Sequence, residues 1–215
     1  PWRSLPPTSI RATRKTGSIS IQSATKYIVG HADALLGAIT CDEAAAAAVA
    51  STHEALGLCA NSEDCFLALR GLRTLAVRME RHWRSGLAIA EWLKGRPEVA
   101  RVLHPALPGA PGHELWKRDF KGAAGLFSVV LKPYPKEAVR HMLNALRIFG
   151  MGYSWGGFES LIVPFDARAA RTATVWKPEG PTLRLHIGLE DVEDLKRDLE
   201  KGFAALNNCA RMAAG

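Results

Sequence analysis

A lysine stands next to two hydroxyls where Ser23, Ala24, Thr25, Lys26 and Tyr27 follow one another at the end of a β-branched stretch. Residues two apart in a strand face the same way, so the Ser23 and Thr25 hydroxyls share one face and can both donate to a phosphate. Lys26 points the other way unless the strand ends there. An amine beside a phosphate-holding pair is the donor set that pyridoxal phosphate needs: one group for its aldehyde, others for its phosphate. Spacing alone leaves open the commoner fate of a lysine, a solvated side chain after a strand.

Residues 182–187 read TLRLHI, which puts Leu183, Leu185 and Ile187 on one face and Arg184 with His186 on the other. An arginine inside a strand needs a partner. Its planar fork suits an amino-acid carboxylate, or equally a structural ion pair with an acid such as Glu190. The glycine-flanked run 152–160, GYSWGGFES, can bring backbone amides close to a ligand while Tyr153 and Trp155 form a wall. A tight turn plugged by aromatics has the same composition. The remaining histidines, His31 beside Asp33 included, show no metal-ligand spacing. Gly150-Met151-Gly152 is not a dinucleotide fingerprint, because no helix pattern follows it.

These residues must be held by regular elements. Residues 19–30 read as a buried strand closed by a turn at Gly30. Asp42 and Glu43 before an alanine-rich stretch predict a helix through Ala50. Asn61 or Ser62 caps a long amphipathic helix whose stripe is Leu69, Leu72, Leu75, Ala76, Met79, Trp83, Leu87, Ala90 and Leu93. Arg70, Arg73, Arg78, Arg81 and Arg84 fall outside that stripe and read as a solvated face. Gly71 offers a bend, and Gly95 with Pro97 a stop. Beyond Pro97, strands are expected at 99–103, 124–131, 147–151, 160–163 and 182–187, and helices at 135–146 and 192–206, the last capped by Asp191. That order suggests helices packed on an antiparallel sheet.

The chain has 215 residues, 47% hydrophobic and 23% charged, which is the composition of an ordinary folded protein of one or two domains. Neither a secretory signal nor an apolar run of membrane-spanning length is present, so the expected compartment is the cytoplasm. The formal charge is +7, but four of those charges (Arg3, Arg11, Arg14, Lys15) lie in a Pro/Ser/Thr-rich leader without hydrophobic period, which argues against nucleic acid as partner. Cys41, Cys59, Cys65 and Cys209 show no metal or disulfide-framework spacing and read as reduced thiols.

Residues 19–31, ISIQSATKYIVGH, resemble the lysine signature of the Cys/Met-metabolism family of pyridoxal phosphate enzymes, and the likeness runs from Ile19 to the C-terminus. Ser18 stands where that family usually has an acid, and Ala32 where it prefers Ser, Gly or Asn. GYSWGG resembles the cystathionine β-lyase branch rather than the SLGG form of γ-synthases and γ-lyases. The resemblance implies an α/β protein of the fold-type I transferase class: residues 1–72 as leader and remnant of a cofactor-binding large domain, 73–215 as an α+β small domain. It implies pyridoxal 5'-phosphate on Lys26, with Ser23 and Thr25 on the phosphate. Arg184 would take the carboxylate of an amino-acid substrate, with Tyr153, Ser154 and Trp155 lining the pocket. The implied reaction is β-elimination of cystathionine in methionine biosynthesis, by a homotetramer built from dimers.

The same family carries an aspartate about 25 residues before the lysine, a glycine-rich phosphate loop, a stacking tyrosine, and a tyrosine and arginine lent by the neighbouring subunit. All fall upstream of the matching stretch, so an incomplete enzyme is expected. The alternatives are a non-catalytic folded fragment or, against GYSWGG, a γ-lyase, γ-synthase or cysteine-S-conjugate β-lyase.

Overall fold

A computed structural model describes residues 19–168 and 171–213 of the chain. The leader and Ser18 lie outside the described residues. The order is β1 (Ser20–Ser23), β2 (Gly37–Thr40), α1 (Glu43–Ala55), α2 (Ser62–Lys94), β3 (Val99–Leu103), α3 (His113–Asp119), β4 (Leu126–Leu131), α4 (Lys136–Ala145), β5 (Leu161–Pro164), β6 (Thr182–His186) and α5 (Val192–Met212).

Strands β3 to β6 form an antiparallel sheet in the order β3-β4-β6-β5, with α4 and α5 packed on each other. This is the expected α+β layer. Its core joins Val129, Leu131, Leu183, Leu185 and Ile187 from the sheet region to Met142, Leu195, Leu199, Phe203 and Leu206 from the helices, with Ile89 and Leu93 from the end of α2. Asp191 caps α5 by accepting from Glu193 N and Asp194 N, as its position in the sequence suggested. All four cysteines are free. Among the described residues, no helix is long and apolar enough to cross a membrane.

Four expectations need correction. The strand after Ile19 is neither long nor buried: β1 has four residues, pairs with β2 alone, and leaves Ile21 75% exposed. Residues 147–151 are not a strand. The amides of Arg147, Ile148 and Phe149 all turn to the buried carboxylate of Asp198 at 2.8–3.1 Å, an arrangement incompatible with alternating strand amides. Only Gly150 makes an isolated bridge, to Leu161.

The buried stripe of α2 is also offset from the apolar one. It runs Ala68, Gly71, Arg78, Met79, His82, Ser85, Gly86, Ile89, Ala90 and Leu93, while Leu69 is exposed. Arg78 and His82 belong inside because backbone carbonyls wait for them there. Finally, Gly71 serves close approach rather than a bend: a Cβ there would lie 2.4 Å from the carbonyl oxygens of both Ile28 and Val29. The expected boundary at 72/73 falls within the continuous helix α2.

Candidate active site

Lys26 sits in a compact turn after β1, because the strand stops at Ser23. Lys26 N donates to Ser23 O, Val29 N to Ala24 O and Gly30 N to Lys26 O, with Ala24 and Val29 buried beneath. Arg78, only 6% exposed, braces this turn from α2 by donating to Tyr27 O (2.8 Å), Ile28 O (3.1 Å) and Gly71 O (2.7 Å). Three carbonyls on one guanidinium explain why a charged side chain is stable inside.

The turn presents the Lys26 amine to the 152–159 loop. Nζ donates to Ser154 Oγ at 3.0 Å and lies 4.5 Å from the centroid of the Trp155 ring. From β6, the Arg184 guanidinium carbon lies 5.6 Å from the Tyr153 ring and 5.7 Å from that of Trp155. Two cations therefore share one indole. Among the described residues neither makes an ion pair, and Arg184 Nη2 is buried with no hydrogen-bond partner. The suggested pairing with Glu190 does not occur, because that carboxylate is taken by Ser160 N and Ser160 Oγ. A buried orphan donor beside an amine is a site short of a carboxylate, which suits an amino acid.

Lys26, Tyr153, Ser154, Trp155 and Arg184 thus come together from three stretches of chain. Tyr153 is 70% exposed, so the wall it contributes is open. The two hydroxyls behave differently. Ser23 is exposed at the end of β1, but Thr25 lies past the strand, where its Oγ1 accepts from Leu36 N (2.9 Å) and donates to Leu36 O (3.3 Å). Strand alternation therefore does not place them on one face. His31 completes the turn through Nδ1 and Val29 O, 2.7 Å apart.

Beneath the amine lies a cluster that spacing did not reveal. The Tyr27 ring meets those of His82 (5.4 Å) and His186 (6.1 Å) edge-on, and the two imidazoles are 5.2 Å apart. Burial pushes the Tyr27 phenol up and both histidines down, His186 to about 4, so the cluster is uncharged at neutral pH. A search for ligand spacing passes over a helix histidine and a strand histidine 104 positions apart; the one available signal was that His186 shares the strand face of Arg184.

Residues 6–204 match the family model described as Cys/Met metabolism PLP-dependent enzyme. The chain is 52% identical over 194 residues to a Rhizobium johnstonii protein provisionally named cystathionine beta-lyase, covering 87% of the chain and 48% of that protein. It is 47% identical over 192 residues to cystathionine beta-lyase MetC of Escherichia coli, covering 87% and 49%. Among solved structures, a cystathionine gamma synthase from Xanthomonas oryzae pv. oryzae superposes with a TM-score of 0.79 at 38% identity, covering 88% of this chain and 50% of that one. The chain spans about half the length of the curated relatives it matches. With a family match over residues 6–204 and relatives 47–52% identical over most of its length, the chain belongs to the Cys/Met metabolism family of PLP-dependent enzymes.

Proposed function

We propose that this site belongs to a carbon–sulfur lyase that eliminates the β-substituent of L-cystathionine as homocysteine, the remaining three-carbon unit taking up one water to give pyruvate and ammonia. The observation that carries it is the Lys26 amine held between Ser154 and Trp155 with the unpaired Arg184 fork beside them. When bound, pyridoxal phosphate supplies a conjugated ring that takes up the electron pair left at the substrate's α-carbon. Lys26 would hold the cofactor's aldehyde, and its amine, when free, would be the base that takes the substrate's α-hydrogen. Ser154 Oγ fixes the direction of Nζ. Arg184 binds the substrate carboxylate through two parallel hydrogen bonds, and Tyr153 and Trp155 keep its guanidinium in place. Ser23, exposed at the end of β1, would donate to the phosphate, whereas Thr25 would do so only on releasing Leu36 O. We assign residues 1–72 to the cofactor-binding part and 73–215 to the small domain of a cytoplasmic homo-oligomer serving methionine biosynthesis.

The likeness to a γ-synthase favours γ-cleavage as the second reading. The test combines the chain with a polypeptide equivalent to the remaining half of the E. coli relative and assays cystathionine with pyridoxal phosphate. Homocysteine and pyruvate support β-elimination; cysteine and 2-oxobutyrate would establish γ-cleavage. The chain alone is expected to turn over far below an ordinary ~10 per second. Borohydride labelling must fall on Lys26, and a pyridoxyl group on another lysine rejects the assignment. In the combined enzyme, Arg184→Lys should lower kcat/KM by about tenfold or more through a raised KM, because an ammonium cannot reproduce the fork. Unchanged kinetics would return Arg184 to a structural role.

A further inference from the structure

We infer that His186 is a positioning residue: its ring holds the middle of the 152–159 loop against the Lys26 turn and so sets where Ser154 and Trp155 stand relative to the amine, a role that rests on Lys26 being the reactive group of the proposed function.

The loop contains no helix or strand, so its backbone needs other ties. Its stems are secured by Gly150 N to Ser160 O (3.0 Å), Ile162 N to Gly150 O (2.9 Å) and Leu189 N to Phe158 O (2.8 Å). Between those ties His186 reaches in, with Nε2 3.1 Å from Gly156 N and 3.1 Å from Gly157 O. Gly156 is also where the loop touches the lysine turn. Its φ is +84°, and a Cβ there would lie 2.8 Å from the Lys26 carbonyl carbon and the Tyr27 nitrogen. The point gripped by the ring is therefore the point pressed on Lys26.

A neutral imidazole suits either contact: with its proton on Nδ1 it accepts from Gly156, and with its proton on Nε2 it donates to Gly157. Burial keeps it neutral, helped by the nearby His82 and Arg184 and opposed by the Gly157 carbonyl. Tyr27 and His82 pin the ring, and His82 Nδ1 in turn bonds Ile187 O at 2.8 Å. One strand thus carries both the arginine facing Trp155 and the residue fixing the loop that bears Trp155.

Reductive methylation with 13C-formaldehyde leaves lysines cationic and gives each an NMR resonance. Lys26→Arg assigns the Lys26 peak by deleting it. The indole ring current should displace that peak, and Trp155→Leu should abolish the displacement. His186→Gln, which keeps a hydrogen-bonding atom near the place of Nε2, is expected to retain it. His186→Phe and the shorter His186→Asn are expected to lose more than half. Displacement retained in the Phe or Asn variant overturns the role, as does its loss in all three, which would mark sensitivity to volume rather than to the hydrogen bond. If the Phe variant does not fold, Gln against Asn decides. The signal needs neither cofactor nor substrate, so its failure is separate from failure of the lyase assay or of Lys26 labelling.

Discussion

From β1 to α1 the chain buries little: α1 has no buried residue, and Ile21, Leu35 and Ile39 face solvent, whereas every member of the main core cluster lies at or beyond Ile89. Lys26 stands on the first of these regions, and Arg184 with the Tyr153–Trp155 loop on the second. An apolar core stabilises in proportion to the area it removes from water, at roughly 25 cal/mol per Å², and the first region has little such area to contribute. Its turn is held instead by the Arg78 guanidinium, which donates to its carbonyls, and by close backbone approach at Gly71 and Gly156.

The sharpest contrast should come from truncating each region. Phe203→Ala, in the core between α5 and the sheet, is expected to cost about 3–5 kcal/mol in denaturant unfolding, and Val49→Ala in α1 about 0.5 kcal/mol or less. Equal losses would mean that α1 packs as tightly as α5. Next is acid. Because the buried His186 has its pKa pulled from 6.5 to about 4, the unfolded chain binds the proton first. Stability is therefore full above about pH 6.5 and falls on acidification toward 4, by on the order of 3 kcal/mol for this residue. His186→Gln should flatten that limb of the stability-against-pH curve, and an unchanged limb would place the acid sensitivity elsewhere.

Arg78→Met removes the strut while sparing both regions. Leaving three carbonyls without their donor should cost about 2 kcal/mol or more and speed amide exchange in residues 26–30 well before it affects β4 or β6. Uniform exchange would show that the turn is stabilised from elsewhere. The smallest effect is expected at Ala32, whose φ of +58° is a left-handed conformation that suits glycine or asparagine. Ala32→Gly should stabilise by about 0.5–1 kcal/mol, read as a rise in Tm; a fall would show that the lost methyl packs usefully.

The fit between residue pattern and structure was best where the pattern is local. The alternation of TLRLHI, the Asp191 cap and the Gly95 stop each reappear in β6, α5 and the end of α2, because backbone geometry and capping act within a few residues. No strand forms at 147–151, because the amides of Arg147, Ile148 and Phe149 are claimed by Asp198, some fifty positions away. The stripe of α2 failed for a related reason, since hydrophobicity cannot mark Arg78 or His82 as interior when carbonyls from distant turns are what satisfy them.

By itself the sequence determined most element types beyond Pro97, though not the helix at His113–Asp119 or the absence of a strand at 147–151, together with the family and the amine and fork that could do chemistry, all of which depend on residue type and short spacing. Only the tertiary structure decided that Lys26 meets Ser154 across 128 positions, that Thr25 is occupied by Leu36, and that Arg184 Nη2 is buried without a partner among the described residues. It also decided that an uncharged Tyr27–His82–His186 cluster lies beneath them. Those are properties of which donors and acceptors meet once the chain closes on itself, and a hydrogen bond between distant residues leaves no period in the sequence for a reader to find.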